Sequence, residues 1–218
     1  MNLNHLKFIN QAHSIAKKKF GTTFPNPIVG CVIVKNNRVI SKAVTNKSGR
    51  PHAEEIALKK AGKKASGGFM YVTLEPCFHN SISGSCTDQI LRSGIKEIFI
   101  SIADPDPRTN CKSIKKLKLN KIKVHEGINS KKTYLLNKFF FESIKTLKPY
   151  TKVKMAISFD EKIAWSNYKS KWISNIKSRS YGHKIRARSQ AVLTTLLLSL
   201  IVNLGLSFII VFDVVKIA

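Results

Sequence analysis

Any fold this chain adopts has to bring one imidazole and two thiols together, because His52-Ala53-Glu54 is followed downstream by Pro76-Cys77 and then by Cys86. A zinc ion that carries out hydrolysis takes three protein ligands and keeps a fourth position open for water, and one His with two Cys supplies such a set. Zinc draws the pKa of a bound water toward neutrality, so a carboxylate beside it has a proton to move at working pH. Glu54 stands two residues after the histidine and outside the ligand set. His52, Cys77 and Cys86 are therefore candidate metal ligands, with Glu54 the candidate catalytic proton shuttle. Taken singly, each cysteine would read as a small buried hydrophobe; taken in this order with Pro76 and Glu54, the residues read as a site.

The flanking residues agree with that reading. Pro51-His52 opens an apolar-periodic stretch, residues 53–61, that closes on Lys59-Lys60 and Gly62, the pattern of a helix with basic residues in its last turn and glycine just beyond. This places His52 and Glu54 in the first turn. Residues 69–74 read as a strand ended by Pro76, and residues 86–92 as a helix closed by Gly94. Cys86 then lies at a helix N-terminus, where free N–H groups and the helix dipole favour thiolate.

Around these segments, helix and strand patterns alternate. A first helix is expected over residues 3–19, a turn-rich connector over 21–27, and a hairpin from strands 28–34 and 38–44 joined at Asn36-Asn37. Further strands are expected at 97–103 and 121–124, a helix running through Leu117, and one long helix over 131–145. The alternation implies a three-layer α/β/α domain with a mixed sheet, with its boundary near Pro149 and a new strand starting at Lys152.

Composition sets the outer limits. At 218 residues there is room for one full domain and part of another. The N-terminus carries no signal-peptide pattern, and four cysteines at these spacings do not form a disulfide framework, so the expected location is cytoplasmic. Cys31 reads as a core residue and Cys111 as a loop thiol. The net charge of +26 invites a nucleic-acid partner. However, the basic residues are 31 Lys and 7 Arg scattered along the chain with 15 Asn, a usage that AT-rich coding favours. No interleaved aromatic and basic motif accompanies them. The lysines read as a solvated coat that also attracts phosphorylated small molecules.

The order His-x-Glu, Pro-Cys, Cys is that of the zinc deaminases acting on bases, and longer stretches narrow the resemblance. Pro25-Asn26-Pro27-Ile28-Val29-Gly30, Pro51-His52-Ala53-Glu54, Thr73-Leu74-Glu75-Pro76-Cys77-Phe78-His79, Cys86-Thr87-Asp88 and Asp104-Pro105-Asp106-Pro107 resemble the deaminase half of the bifunctional riboflavin-biosynthesis deaminase/reductases. Lys154-Met155-Ala156-Ile157-Ser158-Phe159-Asp160, Ser170-Lys171-Trp172-Ile173 and Arg186-Ala187 resemble the start of its reductase half. Eight residues separate Cys77 from Cys86, as in this family, whereas tRNA adenosine deaminases carry two there.

The resemblance implies a cytidine-deaminase-like domain over residues 1–147, a fragment of a dihydrofolate-reductase-like domain over 151–195, and an apolar tail over 196–218. It further implies hydrolytic deamination of a diamino-pyrimidinone that bears a phosphoribosylamino arm. Zinc would sit on His52, Cys77 and Cys86, Glu54 would donate the proton, and Asn26 and His79 would lie at the substrate. In the reductase half, Ala156 and Trp172 would fall at NADPH, and Ser170 and Arg186 at the substrate phosphate, were that half complete. The implied partners are the phosphorylated pyrimidine, a separate reductase chain and a second copy of this chain, with neither nucleic acid nor membrane among them.

Departures from the family pattern cluster where substrate should bind. Thr45 stands where the family has a histidine, seven positions before the zinc His. In the loop between the cysteines, a Lys or Arg able to meet the substrate phosphate is replaced by an uncharged run containing Ser81, Ile82, Gly84 and Ser85. Loss of that cation removes a contact worth about 1.5–3 kcal/mol. Asp106 replaces an Asn, Cys111 and Ser113 replace glycines, and Glu161 replaces a Gly where a positive φ is needed. From Ser189 to Phe212 there is no charge, and the preferred origin of the last segment is a disrupted reading frame, with a buried helix or strand pair, or a tail anchor, as alternatives. Two functions from different classes stay open: a working zinc aminohydrolase without its own reductase activity, and a catalytically silent, zinc-stabilised relic. A nucleic-acid base deaminase is supported by charge alone.

Overall fold

A computed structural model of the chain describes residues 3–79, 84–154, 156, 158–162, 166, 173–189, 191–194 and 209–213. Ser170 and Trp172 lie outside the described residues. The N-terminal part is a five-stranded mixed sheet with helices on both faces, as the alternating pattern requires. β1 (Gly30–Lys35) and β2 (Arg38–Val44) form the expected hairpin. Its turn residues Asn36 and Asn37 both have positive φ, 51° and 57°, a geometry that asparagine tolerates and that matches the twist of the strands. β3 (Phe69–Val72) pairs antiparallel with the other edge of β1, and β4 (Glu97–Ile100) and β5 (Lys123–His125) follow in parallel, giving the order β2-β1-β3-β4-β5.

Period-two alternation along β1 explains the layers. Cys31 and Ile33 face one way, into a core with Ala57, Met70, Val72, Ile90 and Ile98. Val32 and Val34 face the other way, packing with Phe8, Ile9, Ala12, Tyr71 and Phe99. Helix α1 (Leu3–Lys18) covers the second face. It lies so close that a Cβ on Gly30 would stand 2.0 Å from the carbonyl oxygen of Ala12, so glycine is required there. Helices α2 (Ala53–Ala61), α3 (Cys86–Arg92) and α4 (Lys112–Leu119) carry the apolar residues of the first face.

The single helix expected over residues 131–145 is instead two, α5 (Ser130–Leu136) and α6 (Lys138–Thr146), broken at Asn137. Asn137 is fully buried and spends its side chain on the backbone of Ile28, a tertiary demand that overrides helical periodicity. The expected strands 28–34, 69–74, 97–103 and 121–124 are realised as 30–35, 69–72, 97–100 and 123–125, with Val29 and Leu74, just outside them, lining the site and Lys121 at a positive φ of 64° before the last. Helix α6 ends at Leu147 in the left-handed region, φ 55°, just before Pro149.

Beyond that point, β6 (Tyr150–Lys154), helix α7 (Ile176–Ala187), β7 (Ala191–Thr194) and β8 (Ile209–Asp213) follow, and the strands form a second, antiparallel sheet in the order β6-β8-β7. β8, from the apolar tail, pairs with both neighbours along its length. Glu161 has φ 61°, the positive value expected where the family carries glycine. Among the described residues no helix is long and apolar enough to cross a membrane.

Candidate metal centre and substrate cleft

The site lies beyond the C-terminal ends of the parallel strands β3 and β4, where an open α/β sheet leaves a crevice. His52 is the N-cap of α2 rather than part of its first turn, with φ −71° and ψ 160°. Glu54 is in the first turn, and α2 thus points imidazole and carboxylate toward the same end of the sheet. Cys77 follows Pro76 off β3. Cys86 is the first residue of α3, whose N-cap Ser85 accepts from the Asp88 N–H at 3.0 Å and donates back to the Asp88 carboxylate at 2.7 Å.

The two cysteine segments are tied to each other directly. Cys86 N–H donates to Cys77 Sγ at 3.3 Å, and the Thr87 hydroxyl donates to the Cys77 carbonyl at 2.8 Å. His52 Nδ1 lies 3.3 Å from Cys86 Sγ, and the ligand atoms of His52, Cys77 and Cys86 all fall within 4.8 Å of one another. Both sulfurs are buried, at 5% and 2% exposure. A hydrogen bond from the Cys86 thiol, helped by His52 and opposed by burial, brings Cys77 down to about 4, so one sulfur is poised as thiolate. The reciprocal bond and burial push Cys86 up.

Glu54 is 3% exposed, and its Oε2 has no hydrogen-bond partner among the described residues. Burial, opposed by the His52 charge, raises its pKa to about 7. An orphaned carboxylate oxygen beside a His/Cys/Cys cluster is a costly arrangement unless a further group completes it. The residues therefore fit a zinc ion with its water, the donor set expected from the sequence.

His52, Glu54 and Cys77 floor a cleft of about 230 Å³ whose wall includes Asn26, Thr45, Arg50, His79, Asp104, Asp106 and Arg108. Both substrate-side residues expected in this domain, Asn26 and His79, line it. Asn26 donates to the Gly49 carbonyl at 3.1 Å, and a Cβ on Gly49, which has φ 87°, would stand 2.3 Å from the Asn26 amide, so glycine is needed there. His79 Nδ1 lies 3.4 Å from the hydroxyl of Thr109. Arg186 and Ala156 lie in the second part of the chain, with Arg186 on α7 beside His183, and do not reach this cleft.

The departures acquire physical content here. Thr45 is buried and fully used in the backbone: its hydroxyl accepts from Val29 N–H at 3.0 Å while its own N–H donates to the Val29 carbonyl at 2.9 Å. The Asp106 carboxylate is neutralised by Arg108, whose Nη2 approaches to 2.6 Å and whose Nε lies 3.0 Å from the same oxygen. Cys111 takes a positive φ of 57° as the N-cap of α4, in keeping with the glycine it replaces.

Sequence reasoning passed over Glu75, which organises the far wall. Its Oε2 accepts from Asp104 N–H at 3.1 Å and Cys111 N–H at 3.0 Å, and its Oε1 from Ile114 N–H at 3.3 Å. The signal was a buried-strand pattern running straight into an acidic residue before Pro76. Asn137, Gly49 and Arg50 were passed over as well. Asn137 alone left a trace, as a poor helix former inside an apolar helical stretch.

The mixed sheet, the His/Cys/Cys donors and the buried glutamate together define a cytidine-deaminase-like zinc deaminase domain, and residues 3–102 match the family described as the cytidine and deoxycytidylate deaminase zinc-binding region. Within that class, the chain shows strong homology to the riboflavin biosynthesis protein RibD. It is 41% identical to the RibD of Aquifex aeolicus over 85% of this chain and 52% of that protein. Among solved structures, Acinetobacter baumannii RibD (form 1) matches with a TM-score of 0.80 and 36% identity, over 85% of this chain and 52% of that one. The Thermotoga maritima diaminohydroxyphosphoribosylaminopyrimidine deaminase/5-amino-6-(5-phosphoribosylamino)uracil reductase matches with a TM-score of 0.76 and 36% identity, over 84% and 53%. The chain thus spans about half the length of the relatives it matches.

Proposed function

We propose that this chain hydrolyses the exocyclic amino group of 2,5-diamino-6-(5-phosphoribosylamino)pyrimidin-4-one, the deamination for which its Thermotoga maritima relative is named. The observation that carries the reading is the convergence of His52, Cys77 and Cys86 within 4.8 Å beside the unpartnered Glu54 oxygen. His52, Cys77 and Cys86 would hold zinc, which when bound supplies an acidified water at the floor of the cleft. Glu54, held near neutrality by burial, is matched to accept a proton and return it. It carries the two protons of the added water in turn, the first to the pyrimidine ring nitrogen and the second, from the newly added hydroxyl, to the departing amine, so that a C–O bond replaces the C–N bond and ammonia leaves. Asn26 and His79 orient the ring from the walls.

The chain is further assigned as a deaminase domain over residues 1–147, a reductase-like segment over 151–195 and an apolar tail over 196–218, in the cytoplasm. Ala156, Trp172, Ser170 and Arg186 belong to the NADPH and phosphate sites only if the reductase half is supplied in full, and a separate reductase chain and self-association belong to the same reading. Thr45, whose hydroxyl is consumed by the backbone, favours a second reading in which the zinc fold persists without turnover. Ammonia release from the synthetic pyrimidine by zinc-loaded protein separates the two: measurable turnover supports the deaminase, and its absence from a folded, zinc-replete sample supports the silent fold.

A further inference from the structure

A substrate with a phosphate arm requires a cation at the cleft, and the loop that carries one in the family, residues 80–85 here, is Asn-Ser-Ile-Ser-Gly-Ser, without charge. The cleft is otherwise rich in carboxylates: Glu54, Glu75, Asp104 and Asp106 all line it. Its arginines are Arg50 and Arg108. Arg108 is committed, since its Nε and Nη2 both bond the Asp106 carboxylate. Arg50 is exposed, and its guanidinium has no hydrogen bond or ion pair to any described residue.

The backbone beneath Arg50 is nonetheless fixed. Gly49 N–H donates to the Asn46 carbonyl at 3.0 Å, Asn46 N–H to the Pro51 carbonyl at 3.1 Å, and Ser48 N–H to the Thr22 carbonyl at 3.1 Å. The Gly49 carbonyl is held by Asn26, itself a wall residue. Among the described residues, Arg50 is thus a guanidinium without a partner, on a rim held by backbone hydrogen bonds and two residues from the metal ligand His52. Arg50 lines the same cleft as His52 and His79.

We propose that Arg50 has taken over recognition of the substrate phosphate, from the α2 side of the cleft rather than from the loop between the cysteines. Arginine suits the role because its planar fork of donors meets phosphate oxygens in pairs and keeps its charge at any working pH. Arg50 is on this view a specificity-determining residue, and the inference rests on the deaminase reading for the identity of the substrate.

The test uses the full chain loaded with zinc, comparing wild type, Arg50→Gln and Arg50→Lys on the phosphorylated pyrimidine and on its dephosphorylated riboside. Loss of one charge-assisted contact corresponds to a rise in KM of roughly 10- to 100-fold for Arg50→Gln. The expected result is that rise on the phosphorylated substrate, little change in kcat, unchanged kinetics on the riboside, and partial recovery in Arg50→Lys. Equal effects on both substrates, or none on either, would overturn the proposal. Ribose 5-phosphate binding, followed by calorimetry, keeps the two readings apart. If wild type turns over neither substrate, the deaminase reading fails, while binding of ribose 5-phosphate that is weakened in Arg50→Gln still supports the anion site. Ribose 5-phosphate affinity equal in wild type and Arg50→Gln removes it.

Discussion

Asn137 closes both backbone hydrogen bonds of Ile28 across 109 residues of chain: Ile28 N–H donates to Asn137 Oδ1 at 2.7 Å, and Asn137 Nδ2 donates to the Ile28 carbonyl at 3.0 Å. The α5–α6 break thereby fixes the segment that enters β1, and with it the cleft residues Asn26 and Pro27. Replacing Asn137 by Ala strands a buried donor and a buried acceptor, with an expected loss of about 2–4 kcal/mol. Urea unfolding would show this as a lower midpoint at an unchanged slope. A midpoint within error of wild type would mean that the clamp contributes nothing to stability.

Zinc is expected at about one ion per chain, because structural and catalytic sites of this donor set couple metal affinity to folding. Cys77→Ala and Cys86→Ala should each remove it, and a chelator should lower the melting temperature of wild type but not of either variant. Metal analysis of folded wild type that finds no zinc would rule out the mechanism.

Glu54→Gln is isosteric, leaves all three ligands in place, and abolishes proton transfer. The expected outcome is full zinc content, an unchanged melt, and deamination slowed by about 100- to 10,000-fold. Equal rates for the two proteins would assign the shuttle to another group.

His13 gives the fold a pH dependence independent of the metal centre. Its ring, on α1, is 8% exposed and lies 3.4 Å from the hydroxyls of Ser101 and Thr133. Burial, reinforced by the Lys132 charge, lowers its pKa from 6.5 to about 4. Between those values the unfolded chain binds a proton that the folded chain excludes, so stability rises with pH across the window and falls as pH drops through 6.5 toward 4. The contribution is on the order of 3 kcal/mol. His13→Gln should flatten the stability-versus-pH slope in that interval relative to wild type, as measured by urea unfolding at several pH values. An unaltered slope would assign the dependence to other groups.

Taken alone, the sequence determined the chemistry of the donors and most of the elements that carry them. One His, two Cys and one Glu have few uses in that order. Apolar periodicity marks α2, α3 and the β1–β2 hairpin because side-chain direction repeats every 3.6 residues in a helix and every two in a strand. That logic works where a residue's role follows from its near neighbours in the chain. It failed at Asn137, where a long-range clamp interrupts a helical pattern, and at Glu75, whose carboxylate gathers N–H groups from a loop far along the chain. Only the tertiary structure decided that Asp106 is neutralised by Arg108, that Thr45 serves the backbone, and that Arg50 has no partner among the described residues on a cleft lined with carboxylates. Hydrogen bonds and ion pairs depend on distances of a few ångströms between segments remote in sequence, and those distances exist only once the sheet has set which strand ends lie side by side.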